Sequence, residues 1–497
     1  MKRKFVAKII SSVLSVTMVM ALVSGCGNNK EENGIDNSGT EAADSSVTEE
    51  TNNTDAQDSS GEETAGSKEV VTVDFWTAPE QYNLNFWSNY ADKFNASNTE
   101  LDGRKVEVKV QMMPAQPSSE AGIQNAIATG TVPAVSENIN RSFANTLANS
   151  QAVYDMSQES WFQDIVAERA IEETVKGWEI DGAQYVLPLY VNPITVCYNS
   201  KALKALGFDS VPKTLADLEA LLKAYQEKQE ELKEMGISHF MYRAEFLNSG
   251  NYWERWFDIE APYNAMAKGT PLVNGNQLTA DRDALEKVFK MYANMGNSLL
   301  TGTIDGLWQQ ETVPVVMGCG LPWDISANDA AGKVYGMDGD YVFGPTLVEK
   351  EGDIPYNYAD SKGIVLYKND AITEEEHNGA IEFLKYVFTG EGKDSVDIDW
   401  LNATSMLPVR GDLDTNEKFK TYFDEHAALK DVSANVANSI PGMAHEKGAE
   451  IMTALGEKAI IPLMNEVVSV SGINEDPDVS KFVDAALEAM KEAGGLE

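Results

Sequence analysis

From residue 70 onward the apolar positions keep two periods in turn. Val71, Val73 and Phe75 alternate with Thr72 and Asp74, the two-residue repeat of a strand with one face buried. Residues 83–97 then place Phe86, Tyr90 and Phe94 four apart, on one face of a helix. Val106, Val108 and Val110 restore the alternation over residues 105–112. A strand, a helix and a strand in that order need a crossover, which makes the two strands parallel. Residues 118–130 predict the next helix, with Ser118 or Ser119 as its cap and Gly130 as its stop, and a short third strand follows within residues 132–139. The pattern is that of an open α/β sheet. Such sheets bind ligands beyond the carboxyl ends of their strands, so residues 76–81, 113–116 and 138–141 are expected to converge on one mouth.

Further helices are legible downstream. Over residues 213–236 Thr214 is placed to cap, Asp217 stands three residues later, Leu218, Leu221, Leu222 and Tyr225 form the apolar stripe, and Gly236 ends the run. Residues 377–390 and 480–494 show the same helical spacing.

The amino-terminal end follows another pattern. Lys2, Arg3, Lys4 and Lys8 surround the start of an apolar or small run over residues 9–23, the layout of a secretory signal. Such a run rises roughly 22 Å as a helix, short of the ~30 Å of a bilayer core, so residues 1–25 read as a cleaved signal. The sequence Val-Ser-Gly-Cys at 23–26 resembles the lipobox of bacterial lipoproteins, which implies cleavage before Cys26 and acylation of that residue. Two or more acyl chains hold a protein to a bilayer stably. Residues 27–68 carry eleven acids against two lysines and almost nothing apolar. Such a segment cannot offset the entropy of ordering, so residues 26–68 read as an acylated cysteine and a disordered acidic tether, averaging roughly 35 Å end to end.

Composition narrows the function. A net charge of −39 repels phosphate backbones and excludes nucleic acid as a partner. The roughly 430 residues beyond the tether exceed one ordinary core, which predicts two lobes. Cys197 and Cys319 sit in apolar stretches and read as buried small residues rather than a redox pair. The phosphate-binding spacing Gly-x-x-x-x-Gly-Lys is absent, the nearest run being residues 390–394, and no Gly-x-Ser-x-Gly elbow occurs. His239, His377, His426 and His445 lack metal-ligand spacing. Neither metal nor cofactor is expected. The many acids leave a glycosidase carboxylate pair open.

Four segments in order then resemble one family. Residues 179–208 (EIDGAQYVLPLYVNPITVCYNSKALKALGF), 211–225 (VPKTLADLEALLKAY), 313–324 (VPVVMGCGLPWD) and 405–413 (SMLPVRGDL) are similar to the extracellular solute-binding proteins of bacterial ABC importers, in particular the sugar-binding, maltose-binding-protein-like group. Residues 132–136 depart from it, with Ala134 where members often carry an acid, and the turn at 320–323 reads Gly-Leu-Pro-Trp. The resemblance implies a two-lobed α/β fold, each lobe an open sheet flanked by helices, joined by hinge strands. It divides the chain into residues 69–193 with 320–395 as one lobe and 194–319 with 396–497 as the other. It also implies that the strands holding Cys197 and Cys319 are neighbours.

A sugar offers hydroxyls to hydrogen-bonding groups and a C–H face to aromatic planes. The candidate ligand contacts are Trp76, Glu80 and Gln81 after the first strand, Asn138 and Arg141, and Tyr190 and Asn192. The second lobe adds Arg243, Glu245, Asn248, Trp253 and Trp256, and the later turns add Trp323, Asp324, Asp360, Ser361, Lys362 and Arg410. Trp253 and Trp256, three apart on a helix, suit a core as well as a platform. Arg243 can pair with Glu245 and Lys362 with Asp360, and that last pair leaves room for a charged solute. The expected protein is a monomeric, lipid-anchored receptor on the extracellular face of the membrane. It catalyses nothing and hands a sugar or oligosaccharide to the permease of an ABC transporter. The alternatives are the same fold binding a peptide, polyamine or charged metabolite, and an anchored glycoside hydrolase.

Overall fold

In a computed structural model the described residues are 70–115, 118–244, 246 and 252–497. The signal, Cys26 and the tether lie outside them, as do Glu245 and Asn248.

Strands β1 (Val71–Thr77) and β2 (Arg104–Met112) pair in parallel, with Val71 opposite Val106 and Thr77 opposite Met112. Helix α1 (Gln81–Ala96) makes the crossover and buries Phe86, Trp87, Tyr90 and Phe94. Helix α2 (Ser119–Thr129) is capped by Ser118, whose Oγ accepts from Ala121 N at 3.2 Å, and it stops at Gly130 with φ +69°, a conformation glycine adopts freely. Strand β3 (Val135–Ile139) lies parallel on the other side of β1, and α3 (Arg141–Asn149) follows it.

Strand β4 (Leu187–Pro193) belongs to this first sheet, while β5 (Thr195–Asn199) begins a second one, so the chain changes lobes at Ile194. Helix α4 (Leu215–Glu227) opens on the expected capping box of Thr214 and Asp217. It ends earlier than the pattern indicates, because the backbone leaves helical geometry at Lys228 before resuming over Gln229–Glu234. Strands β6 (His239–Arg243), β7 (Leu299–Thr301), β8 (Val315–Gly320) and β9 (Tyr341–Gly344) complete the second sheet in the order β7-β6-β8-β5-β9. The chain then returns. Strand β10 (Asn357–Leu366) runs antiparallel to both β3 and β4, and β11 (Ser439–Pro441) lies at its edge.

These pairings correct the expected lobe boundaries. Strand β9 pairs with β5, so the stretch from residue 320 to β9 belongs to the second lobe, and the return to the first falls between β9 and β10. Helix α5 (Val396–Thr404) packs Val396 and Trp400 into the first lobe's core with Phe75, Trp87 and Phe383, although the expected division placed it in the second. An apolar face decides membership. The late helices over residues 448–494 bury Ile451, Leu463 and Val483 in one core with Leu285 and Phe289. Among the described residues no helix is long and apolar enough to cross a membrane.

Candidate functional site

Where β1 ends the chain turns over a buried carboxylate. Glu137 Oε1 accepts from Thr77 Oγ1 at 2.7 Å, Ala78 N at 2.7 Å and Asn83 Nδ2 at 3.0 Å, which fixes the turn and the start of α1 together. Burial raises the Glu137 pKa against those hydrogen bonds and the attraction of Lys362. Next to it Asn138 stands at φ +71°, a left-handed conformation that asparagine tolerates, and its Oδ1 accepts from Tyr190 Oη at 3.2 Å.

Asp360 and Lys362, two residues apart on β10, share a face, with Lys362 Nζ 3.9 Å from Asp360 Oδ2. Burial raises the pKa of Asp360 and of Glu80, and in each case Lys362 opposes the rise. One ammonium therefore serves three carboxylates.

The opposite wall comes from the second lobe. Residues 256–260 form a π-helical turn, a widened backbone that is common at functional sites. Trp256 packs parallel to Tyr358, their rings 5.9 Å apart at 23°, and Phe257 lies 5.9 Å from Trp323. Tyr252 stands edge-on to both Trp253 and Trp256. Between the walls lies a cavity of about 340 Å³. At its rim Tyr252 Oη donates to Glu120 Oε1 at 2.8 Å, joining the lobes, and Asn140 Nδ2 reaches the same oxygen at 3.2 Å.

Of the expected contacts, Glu80, Asn138, Tyr190, Trp253, Trp256, Trp323, Asp360 and Lys362 come together around this cavity. Arg243 and Asp324 line an adjoining chamber instead. Several others fall elsewhere, each for a visible reason. Trp76 is still within β1, where alternation turns it to the far face, into a core with Met113, Ile123 and Phe143. Gln81 Nε2 bonds Asn85 Oδ1 at the exposed start of α1. Arg141 Nη1 bonds Gly442 O. Asn192 is covered by the segment at residue 407 and accepts from Leu407 N at 3.1 Å, and Ser361 faces away from Asp360 and Lys362. Arg410 is held by Asp397 and Asp412 at 2.9 and 2.7 Å. The sequence reasoning missed Tyr82, Asn83, Glu120, Tyr252, Phe257 and Met406, all of which line the cavity. Tyr252 and Phe257 flank Trp253 and Trp256 in the sequence, so the aromatic cluster extends one residue further on each side than the expected contacts. Among the described residues no cluster of His, Cys, Asp and Glu could hold a metal ion.

A family model described as bacterial extracellular solute-binding protein matches residues 89–427. The chain belongs to that family. A solute-binding protein of this kind acts outside the cytoplasm and binds rather than catalyses, which sets aside the glycosidase alternative. The crystal structure of an uncharacterised protein from Listeria monocytogenes is similar at 31% identity and a TM-score of 0.67, covering 86% of this chain and 99% of that one. A cyclic alpha-maltosyl-1,6-maltose binding protein from Arthrobacter globiformis shares the fold at 14% identity and a TM-score of 0.62, covering 86% of this chain and 99% of its own. So does a maltose-bound MalE3 from T. maritima, at 13% and 0.62, covering 85% and 100%. No curated protein matches the chain. The solute-binding protein described here is thus two-lobed, as the sequence implied, with its cavity between the lobes.

Proposed function

We propose that this protein is a monomeric, lipid-anchored receptor that encloses a saccharide between its lobes and presents it to the permease of an ABC importer. The observation that carries the saccharide reading is the composition of the cavity. Trp253, Trp256, Phe257 and Trp323 supply ring faces from one lobe, and Glu80, Asn138, Asp360 and Lys362 supply hydrogen-bonding groups from the other. Ring faces suit the C–H face of a pyranose, and a mixed set of donors and acceptors suits its hydroxyls. The names of the neighbours that bind maltose and cyclic maltosyl sugars support the same reading. Contacts from both lobes are what closure requires, since a ligand shifts an equilibrium only by its preference for one state. Anchoring rests on the lipobox-like residues 23–26.

One observation favours a second reading. Glu80, Glu120 and Asp360 outnumber Lys362 among the residues lining the cavity, which would welcome a cationic solute such as a polyamine. A melting-temperature screen against mono- and oligosaccharides, polyamines, peptides and anionic metabolites separates the two, because a ligand at a hundred times its Kd stabilises by about 2.7 kcal/mol. A shift with saccharides and none with polyamines is expected; the reverse overturns the reading. Release of the Cys26→Ser protein into the medium, with the unaltered protein retained on cells, tests the anchor.

A further inference from the structure

The cavity between the lobes sorts its chemistry by side. Its acids stand on the first lobe, Glu80 after β1, Glu120 on α2 and Asp360 on β10, while its tryptophans and Phe257 stand on the second. Lys362 is the one cation among the described residues that line it. Asp360 has capacity to spare. It is 5% exposed, yet its oxygens accept no hydrogen bond among the described residues, and Lys362 Nζ at 3.9 Å stands beyond hydrogen-bond reach. Nor are those oxygens sealed as Glu137 Oε2 is, so the carboxylate opens on the cavity it lines. Burial opposes the charge of Asp360 and of Glu80, and Lys362 is what offsets it in both. A neutral ligand would leave that imbalance in place, because closing the lobes on it would enclose three carboxylates with one ammonium, and enclosing an unmatched charge is costly. A linear amine would answer the carboxylates, but it has no broad C–H face for the half-buried rings of Trp253, Phe257 and Trp323. An amine carried on a pyranose answers both.

We infer that the ligand is a cationic amino sugar, or an oligosaccharide containing one, whose ammonium docks on Asp360 and Glu80 of the first lobe while its ring covers Trp253, Phe257 and Trp323 of the second. This deepens the saccharide reading above and rests on it. Hydrogen bonds to an ionised partner are roughly twice as strong as those between neutral groups, so exchanging one sugar hydroxyl for an ammonium is enough to discriminate between two otherwise identical ligands. An ammonium near aromatic faces gains further from their negative potential. Because the carboxylates and the rings lie on different lobes, a ligand that uses both prefers the closed form to the open one.

The test is calorimetric titration of the full chain, at a slightly acidic pH where a sugar amine is protonated, with sugars matched except at one position: glucose, glucosamine and N-acetylglucosamine, the corresponding galactose set, and the β-linked disaccharides of the glucose set. Maltose, maltotriose and spermidine are titrated beside them. Asp360→Asn and Glu80→Gln each remove one charge at nearly constant shape, and each variant is first checked by its melting temperature. In the unaltered protein the amino member of a series is expected to bind about ten-fold or more tightly than its hydroxyl and N-acetyl counterparts. That ratio is expected to fall towards one in Asp360→Asn or, should that chain not fold, in Glu80→Gln. A neutral sugar bound as tightly as every amino sugar, maltose and maltotriose included, or a ratio that survives both substitutions, overturns the inference while leaving the saccharide reading intact. Spermidine bound where no sugar is, or binding of none of these compounds, overturns both.

Discussion

Tyr252 of the second lobe donates its hydroxyl hydrogen to Glu120 Oε1 of the first across 2.8 Å. The bond exists only when the lobes are together, so its energy counts towards closure and not towards the open form. Hydrogen bonds to charged groups contribute about 1.5–3 kcal/mol. Tyr252→Phe keeps the ring that packs on Trp253 and Trp256 and removes only the donor. Affinity measured by calorimetry should fall roughly ten-fold or more, with the melting temperature of the unliganded protein little changed.

Arg410, expected at the ligand, has a structural task instead. Asp397 accepts from Arg169 Nη1 at 2.8 Å and from Arg410 Nη1 at 2.9 Å, and Arg169 Nε also holds Val409 O at 3.0 Å. The carboxylate and Arg169 are both buried, and together they fasten residues 409–410 to the first lobe beside β4. Removing the shared partner leaves the buried Arg169 without its counter-charge in a low-dielectric setting, while Arg410 keeps Asp412. Asp397→Ala should lower the unfolding free energy by about 3–5 kcal/mol, read from the denaturant midpoint at unchanged slope.

These two cases mark how far a one-dimensional pattern reaches. Alternation and four-residue spacing located β1, α1, β2 and α2, and the cap at Thr214, because those features depend on neighbours a few residues away. The mouth of the cavity followed from the sheet rule, which brought Glu80 and Asn138 together. Trp76 escaped because one residue more of strand turns a side chain from the mouth to the opposite face, and the length of β1 depends on its pairing with β2 rather than on its own letters. The partners of Arg410 and the placement of β9 depend on chain that is distant in sequence, for which periodicity carries no signal.

The two cysteines illustrate register in the same way. Their strands are neighbours, as the family resemblance implied, but Cys197 stands opposite Gly318 and Cys319 opposite Val196. One step of register directs the thiols to opposite faces of the sheet, and both are free. Cys197 packs with Trp308 and Phe343, whereas Cys319 borders the adjoining chamber lined by Arg243 and Asp324. Protein held under oxidising conditions, then unfolded and alkylated, should carry the label on both residues; a mass matching a Cys197–Cys319 disulfide would contradict this register.

Glu260 gives the molecule a pH dependence with a definite sign. It is buried at the end of the π-helical turn, its Oε2 has no hydrogen-bond partner, and burial lifts its pKa to about 8 although Arg141 of the first lobe pulls the other way. The folded state therefore holds this proton more tightly than the unfolded chain, whose carboxyl titrates near 4.5. The stability so gained is complete below the unfolded value and is lost as pH rises through about 8. Asp258 and Asp324, lifted to about 6 and about 7, add slopes of the same sign but finish titrating earlier. Glu260→Gln, which cannot ionise, removes the Glu260 share and should flatten the profile around pH 8. The melting temperature of the variant should exceed that of the unaltered protein at pH 9 by more than it does at pH 5. An equal difference at both would mean that Glu260 is ionised throughout, with Arg141 outweighing the cost of its burial.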